Sequence, residues 1–116
     1  STEEAQYDIG RFVAAKIGEY QASGSTDMSV NLPNLTMNIG KRSRYRVRLI
    51  HRNVPGVMAR VIQIFASSEA KVDAQILATM DEVGYVLTDI SAGLGREALE
   101  ELSHLPETIR LIATPL

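Results

Sequence analysis

The succession of apolar patterns from residue 44 onward limits what this chain can fold into. Residues 44–52 alternate between apolar and polar side chains, which predicts a strand. Pro55 and Gly56 then break the strand, because proline cannot continue a central strand. Apolar residues at helical spacing follow the break and predict a helix: Val57, Val61, Ile64 and Phe65.

The same two patterns recur in the rest of the chain. Residues 72–79 alternate and residues 85–90 are apolar and β-branched, so with the turn at 81–84 they predict a hairpin. A second helix is predicted before Pro106, and a last strand over residues 109–113. The order β-α-β-β-α-β indicates an α+β, ferredoxin-like domain: a four-stranded antiparallel sheet with both helices on one face.

The N-terminal third predicts a separate helix and a linker. Ser1 and Glu4 have the spacing of a capping box. An apolar stripe at helical spacing follows: Ala5, Ile9, Phe12, Val13, Ile17 and Tyr20. Residues 23–44 are rich in Ser, Thr, Asn and Gly. We therefore expect a helix over 1–22, a linker over 23–44 and the α+β domain over 45–116.

Composition removes several classes of site. The chain has no cysteine, which excludes disulfides, thiolate metal sites and cysteine nucleophiles. Its two histidines, His51 and His104, lie far apart in sequence, and we predict no metal centre. No apolar run approaches about 20 residues and no signal peptide is visible, so we expect a cytoplasmic protein that does not bind membranes.

Residues 41–52 hold half of the twelve basic side chains in the chain. Such a block can bind phosphate or nucleic acid. Only Tyr45 supplies an aromatic ring within it, so we interpret the block as a solvated face without a nucleic-acid partner. The phosphate or nucleic-acid module stays open as an alternative.

The corner between the first strand and the first helix predicts a ligand site. It places His51 and Asn53 beside the free N–H groups of a helix N-terminus, which attract a carboxylate. Gly56 would let a ligand approach the backbone. We interpret the corner as a sensor site for an amino acid, without catalytic residues. In the alternative interpretation His51 only ends a strand and Asn53 only caps the helix.

Three segments of the sequence carry motifs of one enzyme family. Residues 1–10, Ser-Thr-Glu-Glu-Ala-Gln-Tyr-Asp-Ile-Gly, resemble the segment after the catalytic histidine of the bacterial D-3-phosphoglycerate dehydrogenase family. Residues 29–33, Ser-Val-Asn-Leu-Pro, resemble the exit from its substrate domain. Residues 45–116 are similar to its C-terminal ACT domain, with His-x-Asn-x-Pro-Gly-Val at 51–57 and Thr-Ile-Arg at 108–110.

The resemblance implies the regulatory part of an NAD-dependent enzyme of L-serine biosynthesis. This sequence has no Gly-x-Gly-x-x-Gly after a strand, so we expect no cofactor and no dehydrogenase activity in these residues. The resemblance further implies that ACT domains pair as a homodimer and that serine inhibits the enzyme through them, which makes L-serine or a similar small amino acid the expected effector.

The resemblance also implies which residues bind the effector. They are His51, Asn53, Val54 and Gly56 of one chain and Lys71 from the second strand of its partner. The family commonly has Arg at the position of Val54 and Asn at that of Lys71. A lysine has no acceptor, so serine bound differently, another carboxylate ligand, or a purely structural oligomerisation module all stay open.

Overall fold

The computed structural model describes residues 10–16 and 43–116. Its elements are β1 Phe12–Ala15, β2 Tyr45–Arg52, α1 Val57–Ser67, β3 Lys71–Met80, β4 Val83–Ala92, α2 Arg96–Ser103 and β5 Thr108–Pro115. The strands form one antiparallel sheet in the order β1-β5-β2-β4-β3. The predicted βαββαβ order of the α+β domain is confirmed.

Both helices cover the same face of this sheet. Tyr45, Val47 and Leu49 alternate along β2 and point to that face, where they are almost fully buried. They pack in one cluster with apolar side chains of both helices and of β4 and β5: Val57, Val61, Ile64, Phe65, Val86, Ile90, Ala98, Leu99, Leu102, Leu111 and Ala113. Burial of this apolar area is the main stabilising term of the domain.

The opposite face of the sheet carries a second, smaller apolar cluster and a buried ion pair. The cluster consists of Ile50, Val83, Tyr85 and Ile109. Beside it, Arg46 donates two hydrogen bonds to Asp89, 2.7 Å from Nε to Oδ1 and 2.8 Å from Nη2 to Oδ2. The hydrogen bond from Arg46 to Asp89 raises the pKa of the guanidinium, so Arg46 keeps its charge.

The helix predicted over residues 1–22 is wrong where the structure describes that segment. Phe12–Ala15 form a strand that pairs antiparallel with β5, with Phe12 opposite Ala113. The edge of β5 offers unpaired backbone groups, and tertiary pairing there overrides a local helical preference. Phe12 and Ala14 pack against the core while Val13 is exposed, so the same apolar residues also fit a period of two.

Lys16 fastens the end of this strand. Its N–H donates to the carbonyl of Ile109 at 2.9 Å, and its Nζ donates to the carbonyl of Leu105 at 2.6 Å. The guanidinium of Arg96 lies 5.4 Å from the centre of the Phe12 ring, within cation–π range. The rest of the predicted helix, and the predicted linker up to residue 42, lie outside the described residues.

Candidate functional site

The chain turns from β2 into α1 through a corner built on Gly56. Gly56 is the residue before the helix and has φ +88°, a left-handed conformation that favours glycine. Among the described residues, no side chain caps the first turn of α1, and that turn holds no acidic residue. The N–H of Val57 donates to the carbonyl of Val54 at 3.5 Å. The N–H groups of Met58 and Ala59 and the positive end of the helix dipole remain available to an anion.

His51 lies at the end of β2 beneath this corner, and only 1% of its surface is exposed. Its Nδ1 is 2.9 Å from the carbonyl oxygen of Arg52. Because a carbonyl only accepts hydrogen bonds, Nδ1 carries the hydrogen and Nε2 of the neutral ring is an acceptor. Nε2 is buried and has no hydrogen-bond partner within the described part of the chain.

A buried polar atom without a partner costs about 1–3 kcal/mol of stability. A ligand donor at Nε2 of His51 would remove that cost. The ring has little room to turn away, because it packs directly on Gly84 of β4: a Cβ at that position would lie 2.5 Å from Nε2 and 3.1 Å from Nδ1. The sequence therefore needs glycine at 84 for His51 to hold this position.

Asn53 belongs to the same corner but does not cap the helix. Its backbone N–H donates to the carbonyl of Glu82 at 2.8 Å, and its Nδ2 donates to the carbonyl of Asp81 at 3.3 Å. Asp81 reaches that position with φ +54°, in the turn between β3 and β4. The Asn53 side chain is exposed, with its carboxamide oxygen free to accept a further hydrogen bond.

An ion pair at this corner was not predicted from the sequence. Nη2 of Arg60, in the second turn of α1, pairs with Oε2 of Glu107 just before β5. The hydrogen bond from Arg60 lowers the pKa of Glu107, with burial acting in the opposite direction. Oε1 of Glu107 is buried and has no partner among the residues described. These residues lie 47 positions apart in sequence, and no local pattern links them.

The structure brings together four of the five predicted site residues. His51, Asn53, Val54 and Gly56 share the corner. Lys71 does not: it pairs with Ala92 at one end of β4, whereas His51 pairs with Gly84 at the other. Eight residues at about 3.3 Å each separate these two positions by roughly 26 Å along the strand.

Within residues 10–16 and 43–116, no group of three or more His, Asp or Glu side chains is placed to hold a metal ion. Neither of the two described helices is long and apolar enough to cross a membrane.

Comparison with known proteins gives both a family and its relatives. The family model described as "AHAS small subunit-like ACT domain" matches residues 47–110. D-3-phosphoglycerate dehydrogenase of Escherichia coli (strain K12) is 40% identical over 113 residues, which is 95% of this chain and 27% of that protein. D-3-phosphoglycerate dehydrogenase of Dictyostelium discoideum is 36% identical over 110 residues, 95% of this chain and 26% of that protein.

A solved homoserine dehydrogenase of Thiobacillus denitrificans superposes with a TM-score of 0.51 at 22% identity, over 64% of this chain and 17% of the other. At that identity the likeness concerns the fold alone. The chain spans about a quarter of the length of the curated dehydrogenases that it matches.

The matched residues run from β2 into β5 and include the whole β2–α1 corner. The similarity to the dehydrogenases extends beyond them over almost the entire sequence, and the predicted resemblance is confirmed. The chain belongs to the ACT domain family and is homologous to the C-terminal ACT region of D-3-phosphoglycerate dehydrogenases.

Proposed function

We propose that this ACT domain is a sensor that binds a small amino acid, L-serine first among the candidates, at its β2–α1 corner. The observation that carries the proposal is the buried Nε2 of His51, which has no partner within the described residues and is followed along the chain by an uncapped helix N-terminus. The ligand's carboxylate would take the N–H groups of α1, and its polar groups would face His51 and Asn53. Gly56 adds no side chain at this N-terminus, and Nη1 of Arg60 lies 3.5 Å from where a Cβ at this position would stand.

The binding unit in this proposal is a homodimer formed along β3. This strand is an edge of the sheet that the described residues form, and an edge invites pairing with a second copy. Large apolar side chains are exposed along it and on the neighbouring helix: Ile62, Val72, Leu77 and Met80 are each 40–50% exposed. Val72 and Leu77 pair with Ile90 and Val86 on the helix-covered face, whereas Met80 pairs with Val83 on the other face. Exposed apolar side chains on an edge strand favour a protein interface.

Pairing of two β3 strands would also account for Lys71. If the strands run antiparallel about a twofold axis at their midpoint, each strand's first residue lies opposite the other's last. The partner's Lys71 would then stand beside Met80, next to Asp81, whose carbonyl accepts from Asn53. An ammonium group there could attract the ligand's carboxylate as a point charge.

Binding regulates only if it favours one arrangement of the domains over another. We propose that the ligand stiffens the seam between two ACT domains and so inhibits an attached NAD-dependent dehydrogenase of L-serine biosynthesis. NAD and the catalytic step belong to that dehydrogenase part, and we assign no catalytic residue to this chain.

Calorimetric titration of L-serine tests the proposal, with His51→Ala as the variant. His104 provides a matched control, because it is an exposed histidine at the end of α2. We expect the wild-type chain and His104→Ala to bind and His51→Ala to lose at least about tenfold in affinity, the loss expected for one hydrogen bond to a charged ligand. No heat at millimolar serine, or equal binding by all three chains, would contradict the proposal.

The second candidate function is a purely structural oligomerisation module, favoured by Lys71 in place of the asparagine of the family. It predicts a dimer that binds no amino acid. Sedimentation equilibrium of Leu77→Asp tests the interface that both functions share. Leu77 and Val13 are 49% and 51% exposed, so Val13→Asp is the matched control on β1. We expect Leu77→Asp to be monomeric and Val13→Asp to remain dimeric.

A further inference from the structure

We infer that Glu107 selects the chemical class of the ligand: its free carboxylate oxygen accepts a hydrogen bond from a protonated amine, so the site takes α-amino acids over carboxylic acids that lack the amine. This inference rests on the proposed function and names the residue that sets its specificity.

Two side-chain atoms of the described residues are buried without a hydrogen-bond partner, and they belong to neighbouring strands at the same end of the sheet. They are Nε2 of His51 and Oε1 of Glu107. His51 pairs with Thr108, the residue after Glu107. The backbone joins them as well, because the N–H of Arg52 donates to the carbonyl of Glu107 at 2.8 Å. Both residues therefore lie at the end of the sheet from which the β2–α1 corner leads.

Arg60 connects Glu107 to the helix N-terminus. One end of its guanidinium pairs with Oε2 of Glu107. The other end, Nη1, lies 3.5 Å from where a Cβ on Gly56 would stand. A single guanidinium group thus spans from the carboxylate to the backbone at the start of α1. An α-amino acid carries an anionic and a cationic group on one carbon. Its carboxylate would meet the helix N-terminus, and its amine would meet the carboxylate of Glu107.

The charge of Glu107 suits that role. Arg60 uses one oxygen and leaves the other with full acceptor capacity, since an ionised carboxylate accepts several hydrogen bonds. The carboxylate remains ionised at neutral pH because its pKa is lowered by the hydrogen bond from Arg60. An ammonium donor is the best partner for a half-satisfied carboxylate, because hydrogen bonds between charged groups are about twice as strong as neutral ones.

The Arg60–Glu107 pair has a simpler possible role, which is to tether α1 to the start of β5. The two roles predict different ratios between the affinities for a ligand with the amine and for one without it. Loss of a tether weakens the binding of every ligand by the same factor. Loss of an acceptor for the amine weakens amino acids and spares a ligand that lacks the amine.

The test is calorimetry with L-serine and with 3-hydroxypropionate, which is serine without its amino group. We expect the wild-type chain to prefer L-serine by about tenfold or more. Glu107→Gln should lose that preference through weaker serine binding, with the affinity for 3-hydroxypropionate almost unchanged. Glu101→Gln, the same change at an exposed position of α2, should keep the wild-type preference.

One further variant and the melting temperature guard against a folding defect. Glu107→Asp, which retains a carboxylate, should keep part of the preference. If Glu107→Gln binds L-serine as selectively as the wild-type chain, or weakens both ligands equally, the inference about Glu107 is overturned while the sensor proposal stands. If the wild-type chain binds neither ligand, both fail.

Discussion

Gly84→Ala is the sharpest perturbation of the β2–α1 corner, because it adds a single methyl group against the His51 ring. The new Cβ would lie 2.5 Å from Nε2 and 3.1 Å from Nδ1. Carbon and nitrogen atoms in contact are normally about 3.5 Å apart, so the ring must move by about 1 Å. The backbone of Gly84 lies outside the left-handed region of φ, so alanine causes no backbone strain there. Any loss of stability in Gly84→Ala would therefore come from steric overlap.

The size of the penalty follows from burial. His51 is 1% exposed, and Gly84 lies on β4, which is paired on both sides by β2 and β3, so neither residue can shift into solvent. Overpacking of such a site costs about 1–3 kcal/mol. We expect urea unfolding of Gly84→Ala to give a free energy of unfolding lower by that amount. L-serine binding should fall by at least about tenfold, because the displaced Nε2 can no longer meet the ligand.

A double-mutant cycle with His51→Ala separates the clash from general damage to the strand. Once the imidazole is gone, the extra methyl group occupies vacated space and the cost of Gly84→Ala should fall below about 0.5 kcal/mol. An equal cost in both backgrounds would refute the contact between residues 51 and 84. A Gly84→Ala chain with wild-type stability and wild-type serine binding would refute the account of the corner itself.

Three further predictions concern the charges and hydrogen bonds around the sheet. Because the pKa of Glu107 is lowered, its carboxylate stabilises the fold at neutral pH, and this contribution is lost as the pH falls below about 4.3. In urea unfolding, the free energy of unfolding of the wild-type chain should therefore fall more steeply with acid than that of Glu107→Gln. Asp89→Asn breaks the ion pair with Arg46, in which the side chains of Arg46 and Asp89 are 12% and 1% exposed. Thermal unfolding should show a loss of stability of about 3 kcal/mol or more, and a loss under about 1 kcal/mol would contradict the pair. Thr108→Val removes a buried 2.6 Å hydrogen bond to the carbonyl of Leu102 and should lower the unfolding free energy by about 1–3 kcal/mol, which denaturant titration would check.

Local signals in the sequence predicted most of the domain. The break at Pro55-Gly56 predicted the β2–α1 corner, and the turn at 81–84 predicted the β3–β4 hairpin. Proline fixes its own φ, and glycine and aspartate tolerate the turn conformations that other residues avoid. The same corner placed His51 and Asn53 together without any knowledge of the sheet.

Contacts between distant residues could not be predicted in this way. The segment around Phe12 carries a helical stripe but becomes a strand, because the edge of β5, about 100 residues away, satisfies its backbone. The packing of His51 on Gly84 depends on the register of β2 with β4. The Arg60–Glu107 pair depends on how α1 lies over the start of β5. Each of these contacts arises from tertiary packing, and no periodic pattern of residues in the sequence indicates it.

Nitrogen NMR of the His51 imidazole during titration with L-serine tests the sensor site most directly. Our account predicts that the Nε2 resonance and the backbone amides of the first turn of α1 shift together and saturate at one serine per corner. It predicts no comparable shift for the exposed imidazole of His104. Unchanged His51 resonances at saturating serine, or shifts confined to residues away from the corner, would contradict it.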